Sequence, residues 1–285
     1  MSALDACLTR SRGSSGEPVV RFGEPLLDDY LEFLAGRCRP NTVLAAAYDL
    51  KVFFTVITKA PGEVCAADVL GFVTAQRTGR AGDRAVVQSL GVGGELGGVS
   101  TSTVARRLSV ISGFFAFLQV RGDVRLNPVP RGLPTRRQRS GTGNGVPLTR
   151  RTRRLPKILN PGEVDALTGA LRTHRDQAMV AAMVLGGLRR CEVLGLRMED
   201  LRVGERRLFI AEGKGGHQRL IPVSARFFVA VQAYLDAERP PGLGTDAVFV
   251  VLKGPRRGQP LAVRGLAAIL SGARDRAGVA HATCH

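Results

Sequence analysis

The sequence lacks a long hydrophobic run, and this lack excludes a membrane-spanning helix. No stretch approaches the roughly 20 consecutive apolar residues that a helix needs to cross a bilayer. The N-terminus carries Asp5 and no apolar core, so it does not read as a secretory signal peptide. We therefore expect a cytoplasmic protein that has no membrane partner.

Cysteine is also sparse, and its spacing argues against two kinds of stabilised domain. The cysteines are odd in number and scattered, unlike those of a disulfide framework or a structural zinc site, so we expect a reducing, intracellular compartment. A metal site formed by His281, Cys284 and His285 is conceivable, but this spacing matches no strong zinc pattern. We predict neither a metal nor another cofactor. The five cysteines are Cys7, Cys38, Cys65, Cys191 and Cys284.

Acidic residues are few relative to basic ones. Forty-one Lys plus Arg against 24 Asp plus Glu leave a formal net charge of +17. The 44% hydrophobic and 23% charged content is otherwise that of a soluble globular protein. A positive surplus of this size suits a polyanion, so nucleic acid is the leading partner. The alternative is a basic composition that comes from a GC-rich coding sequence, because Arg greatly outnumbers the five Lys.

The 285 residues suit two domains of ordinary size. Residues 1–22 are predicted to be a flexible tail, because their first part is rich in Ser, Gly and Arg and lacks periodicity. Residues 23–122 show helical periodicity in four segments, interrupted by a glycine-rich stretch between Gly79 and Gly98 that predicts a long loop. The helices are expected to start near Pro25, after Pro40 with Asn41 or Thr42 as the cap, near Asp68, and after Ser100.

The fourth helix of this domain has the clearest amphipathic stripe, and Arg106 and Arg107 lie near its start. A basic helix end could contact a phosphate backbone. A solvated helix face is the commoner explanation for such a pair. Asp49, on the second helix, falls outside that helix's apolar face.

Residues 123–159 are predicted to be a basic interdomain linker. Between Val124 and Gly162 there is no acidic residue, but there are nine Arg and Lys157. A flexible chain of this charge could follow a DNA groove and release condensed counterions, although a merely soluble linker is the alternative. The candidate DNA-binding residues in this segment are Arg136, Arg137, Arg153 and Arg154.

Residues 160–285 form the second predicted domain. Asn160, Pro161 and Glu163 are placed as N-cap, first helical residue and capping-box partner. The segment from Gln177 to Leu188 is apolar nearly all round and predicts a central helix. Further helices are expected at Ser224–Glu238 and at about Ala262–Ala277. Two short strands, Leu208–Ile210 and Leu220–Val223, should form a hairpin, to which Val248–Val251 adds a third strand.

Two motifs in this domain carry chemistry. Gly187-Leu188-Arg189 with Glu192 three residues later places a guanidinium just beyond the central helix, where a fixed planar fork suits the oxygens of a phosphodiester. A structural ion pair between Arg189 and Glu192 is the plainer alternative. Gly213-Lys214-Gly215 places a lysine at the hairpin tip, where an ammonium could donate a proton to a leaving alkoxide. An exposed turn lysine is the plainer alternative there.

In this order, the motifs resemble the tyrosine recombinase, or phage integrase, family over roughly Pro25 to His285. The family's first active-site box, Gly-Leu-Arg-x-x-Glu-x-x-x-Leu, is matched from Gly187 to Leu196. Its lysine hairpin, Gly-Lys-Gly followed by Arg-x-x-Pro, is matched from Gly213 to Pro222. Thr283-Cys284-His285 matches the opening of its second box.

The resemblance implies a mainly α, α+β architecture: an N-terminal helical (SAM-like, four-helix) core-binding domain and an α-rich catalytic domain with a small antiparallel β-sheet. It implies that Arg189, Lys214 and His285 are catalytic, with Lys214 as general acid and His285 as general base or phosphate ligand. Arg219 joins the candidate DNA-binding residues. The implied partner is a double-stranded DNA recombination site, bound by a tetramer in the synaptic complex and by a monomer before assembly.

The implied reaction is strand cleavage by a tyrosine through a 3′-phosphotyrosyl intermediate, followed by rejoining. The family's second arginine and C-terminal tyrosine have no counterpart up to His285, and Tyr30, Tyr48 and Tyr234 have spacings typical of helix packing. We therefore expect a C-terminally incomplete recombinase that binds DNA without cleaving it. The alternatives are a non-catalytic protein that occupies a recombination site and an RNA-associated or structural basic protein.

Overall fold

A computed structural model describes residues 8–13, 18–78, 98–130, 132, 148–149, 157–213 and 216–282. The chain divides into two compact units, Met1–Arg154 and Leu155–His285. This division falls inside the segment predicted to be the linker. Helices dominate both units and the sheets are small and antiparallel, so the predicted mainly α, α+β class is confirmed. No helix within the described ranges has the length and apolarity that crossing a membrane requires.

The first unit packs its described helices around an aromatic core. Phe53, Phe72 and Phe115 are fully buried and meet edge to face, with ring centroids 5.1 Å apart for Phe53 and Phe72. Ser100 caps the fourth helix as predicted, because its hydroxyl accepts the Thr103 N–H. The helices are α1 (Pro25–Ala35), α2 (Pro40–Val56), α3 (Ala66–Thr78) and α4 (Thr101–Arg121).

Two expectations for this unit are corrected. Helix α2 starts at Pro40 with Arg39 at the N-cap, so Asn41 and Thr42 lie inside the first turn. Proline suits the first helical position because its missing N–H would have no partner there. Asp49 is buried although it falls outside the apolar face, because the guanidinium groups of Arg106 and Arg107 lie against it.

The predicted flexible tail is wrong for the described part of residues 1–22. Strands β1 (Thr9–Arg12) and β2 (Pro18–Arg21) form an antiparallel pair in which Thr9 lies opposite Arg21. Val20 and Phe22 bury their side chains in the core of the first unit. These two apolar residues anchor β2, and β1 pairs with β2, a contribution that periodicity over so few residues does not reveal.

The second unit surrounds a three-stranded antiparallel sheet with helices. The sheet order is β3–β4–β5, and Ile210 pairs with Arg219 across the hairpin. The strands are β3 (Leu201–Arg202), β4 (Arg207–Ile210) and β5 (Arg219–Pro222). The helices are α5 (Pro161–Gly169), α6 (His174–Gly186), α7 (Arg190–Leu194), α8 (Ala225–Ala237) and α9 (Val263–Ala277).

The hairpin and the Asn160–Glu163 capping box are confirmed, whereas the third strand was assigned to the wrong segment. Leu201–Arg202 pairs with β4, and Val250 makes only an isolated bridge to Pro260. Val248–Val250 is almost wholly buried, which explains its strand-like composition without sheet pairing. Helix α6 is central on one side only, because Val184 and Leu185 remain exposed.

Candidate functional site

Arg189 is positioned by the sharp end of helix α6. Gly187 closes that helix in the left-handed conformation at φ +62°, where a side chain would be strained. Leu188 then turns inward and is 4% exposed, so the next residue is directed outward at the start of α7. Each residue of the Gly-Leu-Arg sequence thus has a local role. Gly187 makes the turn, Leu188 anchors the chain in the core, and Arg189 projects its guanidinium outward.

Glu192 fixes the orientation of Arg189. Its carboxylate accepts the Arg189 backbone N–H at 2.9 Å through Oε2 and the Arg189 Nη1–H at 2.9 Å through Oε1. The Glu192 side chain is fully buried, whereas the Arg189 side chain is 55% exposed. The arginine therefore has a buried attachment and an accessible outer face.

Arg219, on β5, completes this cluster. Its Nη1 lies 3.0 Å from Oε1 of Glu192 and its Nη2 lies 2.8 Å from Oε2, which is a bidentate fork. The hydrogen bonds from Arg219, followed by those from the Arg189 backbone and side chain, outweigh burial and lower the pKa of the Glu192 carboxyl to about 2. Glu192 is ionised at neutral pH, and the three side chains carry a net charge of one positive unit.

The cluster can hold an anion at Arg189. Among the described residues, Nη1 is the only guanidinium nitrogen of Arg189 that makes a hydrogen bond, and more than half of the side chain is exposed, which leaves N–H donors available to a ligand. The sequence offered a structural ion pair and a phosphate grip as alternatives. The geometry accommodates both, because the ion pair uses one edge of the guanidinium and leaves the rest accessible.

The lysine hairpin is described on both sides of its tip. Gly213 accepts the Gly216 N–H at 3.0 Å and donates to the His217 carbonyl at 3.1 Å, and Gly216 has φ +84°. A Cβ added at Gly213 would lie 2.4 Å from the His217 carbonyl oxygen, so glycine is required for this close approach. Lys214 and Gly215 lie outside the described residues, and the position of the lysine is not assigned.

An open, largely apolar cleft of about 640 Å³ borders Arg189. The cleft is lined by the exposed side of α6, by the segment before α5 and by α9. Arg189, Arg190 and Cys191 form one part of its wall, so a charged group and an apolar surface adjoin at this place. Its apolar lining includes Leu159, Leu167, Val180, Met183, Val184 and Leu270.

The predicted DNA-binding arginines have different environments. Arg107 is buried and pairs with Asp49 and Gln76, so its guanidinium is not presented to a phosphate, a correction to the surface role considered for it. Arg106 also pairs with Asp49 but keeps about half of its side chain exposed. The other predicted residues, Arg136, Arg137, Arg153, Arg154 and the catalytic candidate His285, lie outside the described residues.

The three tyrosines also differ in environment. The Tyr234 hydroxyl donates to the Val248 carbonyl at 3.0 Å and accepts the Val250 N–H at 3.2 Å, and the side chain is fully buried. Burial raises the pKa of Tyr234 above its ordinary value. Tyr30 is buried in the first unit, and Tyr48 is partly exposed on helix α2.

Within the described ranges, no three His, Cys, Asp or Glu side chains are grouped as metal ligands. His281 lies 3.6 Å from the Glu163 carboxylate, while Cys284 and His285 fall outside those ranges. The conceivable site at the C-terminus is therefore untested for two of its three ligands.

Comparison with known proteins finds a family similarity in the part of the chain that contains the arginine box and the lysine hairpin. The model of the Phage integrase family matches residues 157–285, which include both motifs. The second unit of the chain is therefore similar to the phage integrase family of tyrosine recombinases. The tyrosine recombinase XerD of Listeria monocytogenes is 27% identical over 270 residues, which cover 89% of this chain and 78% of XerD. XerC of Pseudomonas syringae is 32% identical over 163 residues, covering 56% of this chain and 50% of XerC.

Solved structures extend the similarity to the fold of both units. A lambda integrase dimer bound to a COC′ core site has a TM-score of 0.62 at 14% identity, covering 90% of this chain and 78% of the integrase. The Tn1549 transposon integrase in complex with transposon right end DNA also has a TM-score of 0.62 at 14% identity, covering 90% of this chain and 79% of that chain. At this identity the similarity concerns the fold.

The sequence predicted the contact between Arg189 and Glu192 but not the pairing of Glu192 with Arg219. The two residues are 27 positions apart, and the pairing depends on the β4–β5 register. The Arg-x-x-Pro strand pattern marked Arg219 as a notable residue. It carried no information on its partner.

Proposed function

We propose that the chain binds double-stranded DNA at a recombination site and that Arg189 contacts the phosphodiester at which strands are exchanged. The observation that supports this proposal most strongly is a buried Glu192 that pairs with two arginines, one of them the exposed Arg189, in a unit that matches the phage integrase family model. A permanently charged, oriented guanidinium stabilises the negative charge that grows on phosphate oxygens during transfer. Family relatives named as recombinases support the substrate class.

The proposal assigns three further roles. Lys214 donates a proton to the leaving 5′-hydroxyl, and His285 acts as general base or phosphate ligand. The basic segment that contains Arg136, Arg137, Arg153 and Arg154 follows the DNA backbone, and Arg106 adds a contact from the first unit. Four copies act together on paired sites, and single copies exist before assembly.

The cleavage step requires a tyrosine nucleophile, and we assign it to none of Tyr30, Tyr48 and Tyr234. Tyr234 is immobilised by two backbone hydrogen bonds inside the second unit. Residues 1–285 are therefore expected to bind DNA and leave its strands intact. This observation favours, for these residues, the second candidate function, which is occupancy of a recombination site without catalysis.

The test is a salt titration of binding to a duplex of about 30 base pairs, with each protein–phosphate contact expected to contribute about 0.9 to the slope of log K against log salt. Arg189→Ala should lower both the affinity and that slope. Arg190→Ala is the matched control, because it removes the same charge one residue away from the Glu192 cluster. Equal effects of the two variants would contradict a specific contact at Arg189, and no binding by the wild type at low salt would overturn the proposal.

A further inference from the structure

Arg219 was expected to bind DNA, but its hydrogen bonds point inward. Both terminal nitrogens of its guanidinium face Glu192, at 3.0 Å and 2.8 Å, and the side chain is 34% exposed. The edge of the fork that would bind a phosphate bidentately is therefore occupied by a carboxylate. Arg189, by contrast, uses one Nη for Glu192 and is 55% exposed.

The four N–H groups that reach Glu192 account for the acceptor capacity of a carboxylate, which has about four lone-pair positions. Two come from Arg189 and two come from Arg219. A fully buried carboxylate with one arginine would neutralise that arginine. With two arginines, the cluster retains one positive charge, and the exposed member carries it to the surface.

We propose that Arg219 is a positioning residue that acts on the DNA phosphate through Glu192 and Arg189 and does not contact DNA itself. The inference rests on the proposed function, because it concerns how Arg189 remains available to a phosphate. Arg219 compensates the Glu192 charge and fixes the carboxylate in the orientation that directs Arg189 outward.

Gly213 supplies an independent observation. A Cβ added there would lie 2.8 Å from Nη1 of Arg219, so the guanidinium lies directly against the bare backbone of the hairpin. Gly213 immediately precedes Lys214 in the sequence. Arg219 thus contacts both the residue that orients Arg189 and the turn that contains the lysine motif, which couples the two motifs physically.

The experiment is a charge-rescue series that uses the same duplex titration. Arg219→Gln should weaken binding roughly tenfold, because the buried Glu192 charge then neutralises Arg189 and a charge-assisted contact is lost. Adding Glu192→Gln removes the charge that Arg219 compensates. The double variant should recover most of the affinity and the wild-type salt slope, because the charge of Arg189 is again uncompensated and the amide oxygen of the introduced glutamine can still accept a hydrogen bond from it.

Direct contact gives a different pattern. If Arg219 binds a phosphate itself, Glu192→Gln cannot restore the lost contact, and the double variant should keep the weak affinity and a slope lower by about 0.9. That result would overturn the inference, as would wild-type affinity in Arg219→Gln. Should Arg219→Gln alone fail to fold, the double variant still decides between the two slopes.

Two controls separate this inference from the proposed function. Arg197→Gln breaks a 3.1 Å ion pair with Asp246 in which both side chains are well exposed, and it should leave DNA binding unchanged. A wild-type chain that fails to bind DNA at low salt contradicts the proposed function. A wild-type chain that binds, accompanied by a double variant that is not rescued, contradicts only the role of Arg219.

Discussion

Each unit of this protein contains a buried carboxylate between two arginines, and the two clusters are used differently. In the first unit, burial raises the pKa of the Asp49 carboxyl above its ordinary value despite Arg106 and Arg107. In the second, hydrogen bonds lower the pKa of the Glu192 carboxyl to about 2. The residue types are nearly the same, so the difference lies in the geometry of the hydrogen bonds.

The geometry differs in the number and alignment of donors. Glu192 accepts four hydrogen bonds, including a bidentate fork and a backbone N–H. Asp49 accepts one from Arg106, while the Nε of Arg107 remains 3.6 Å away from it. Desolvation therefore dominates in the first unit and hydrogen bonding dominates in the second. The first arrangement ties helices together, and the second presents a charge.

The largest expected effect on stability comes from a substitution at Asp49. Asp49→Ala leaves the buried Arg107 without its carboxylate and should lower the free energy of unfolding by about 3–5 kcal/mol. Urea denaturation followed by circular dichroism measures this loss. Asp29→Ala is the control, because its pairing with Arg121 is at the surface, and its curve should stay close to that of the wild type. Equal losses for the two variants would show that the Asp49 cluster is not a buried ion pair.

The pH dependence of stability should have opposite signs for the two carboxylates. Because the Glu192 pKa falls from 4.5 to about 2 on folding, its contribution is complete above pH 4.5 and is lost as the pH falls towards 2. That shift corresponds to at most roughly 3 kcal/mol, reduced by the solvent exposure of both arginines. Denaturation of wild type and Glu192→Gln across this range measures the difference between them.

For Asp49, the same experiment should show a pH dependence of stability with the opposite sign. Its raised pKa means that the ionised form is disfavoured in the folded unit, so wild type should gain stability relative to Asp49→Asn as the pH falls through the raised pKa. Parallel pH profiles for the two variants would contradict the proposed contrast between desolvation and hydrogen bonding.

A smaller effect, at Gly187, tests whether the Glu192 cluster contributes to DNA binding. Gly187 and Gly242 have φ of +62° and +65°, and an added Cβ meets nothing within 4 Å at either position. Alanine at each should therefore cost about 1 kcal/mol of backbone strain, visible in thermal denaturation. Only Gly187→Ala should also weaken DNA binding, because Gly187 sets the direction of Arg189. Equal DNA affinities of the two variants would count against that role.

Local features of this fold could be predicted from sequence, and distant pairings could not. The Asn160–Glu163 capping box and the Arg189–Glu192 contact each span three residues, within one turn of a helix. The β4–β5 hairpin follows from two short apolar runs around glycines. Each of these features depends on residues that are close together in the sequence.

The errors involve contacts between distant segments. Asp49 falls outside the apolar face of α2, and its burial could not be predicted because the arginines that pair with it lie 57 and 58 positions further along the chain. Residues 248–251 were taken for a strand because burial and strand pairing select the same β-branched residues. The pairing of Arg219 with Glu192 required the completed sheet beside α7.

The burial of Tyr234 has a spectroscopic consequence. The chain contains no Trp and only three Tyr, so tyrosine emission is not obscured by indole fluorescence. Tyr30 and Tyr48 belong to the first unit and Tyr234 belongs to the second. A chain with Tyr30→Phe and Tyr48→Phe would retain Tyr234 as its single tyrosine, enclosed in the core beside Phe249 with its hydroxyl fixed by two backbone groups. Its emission would report on the integrity of the Arg189 unit alone, without an attached label.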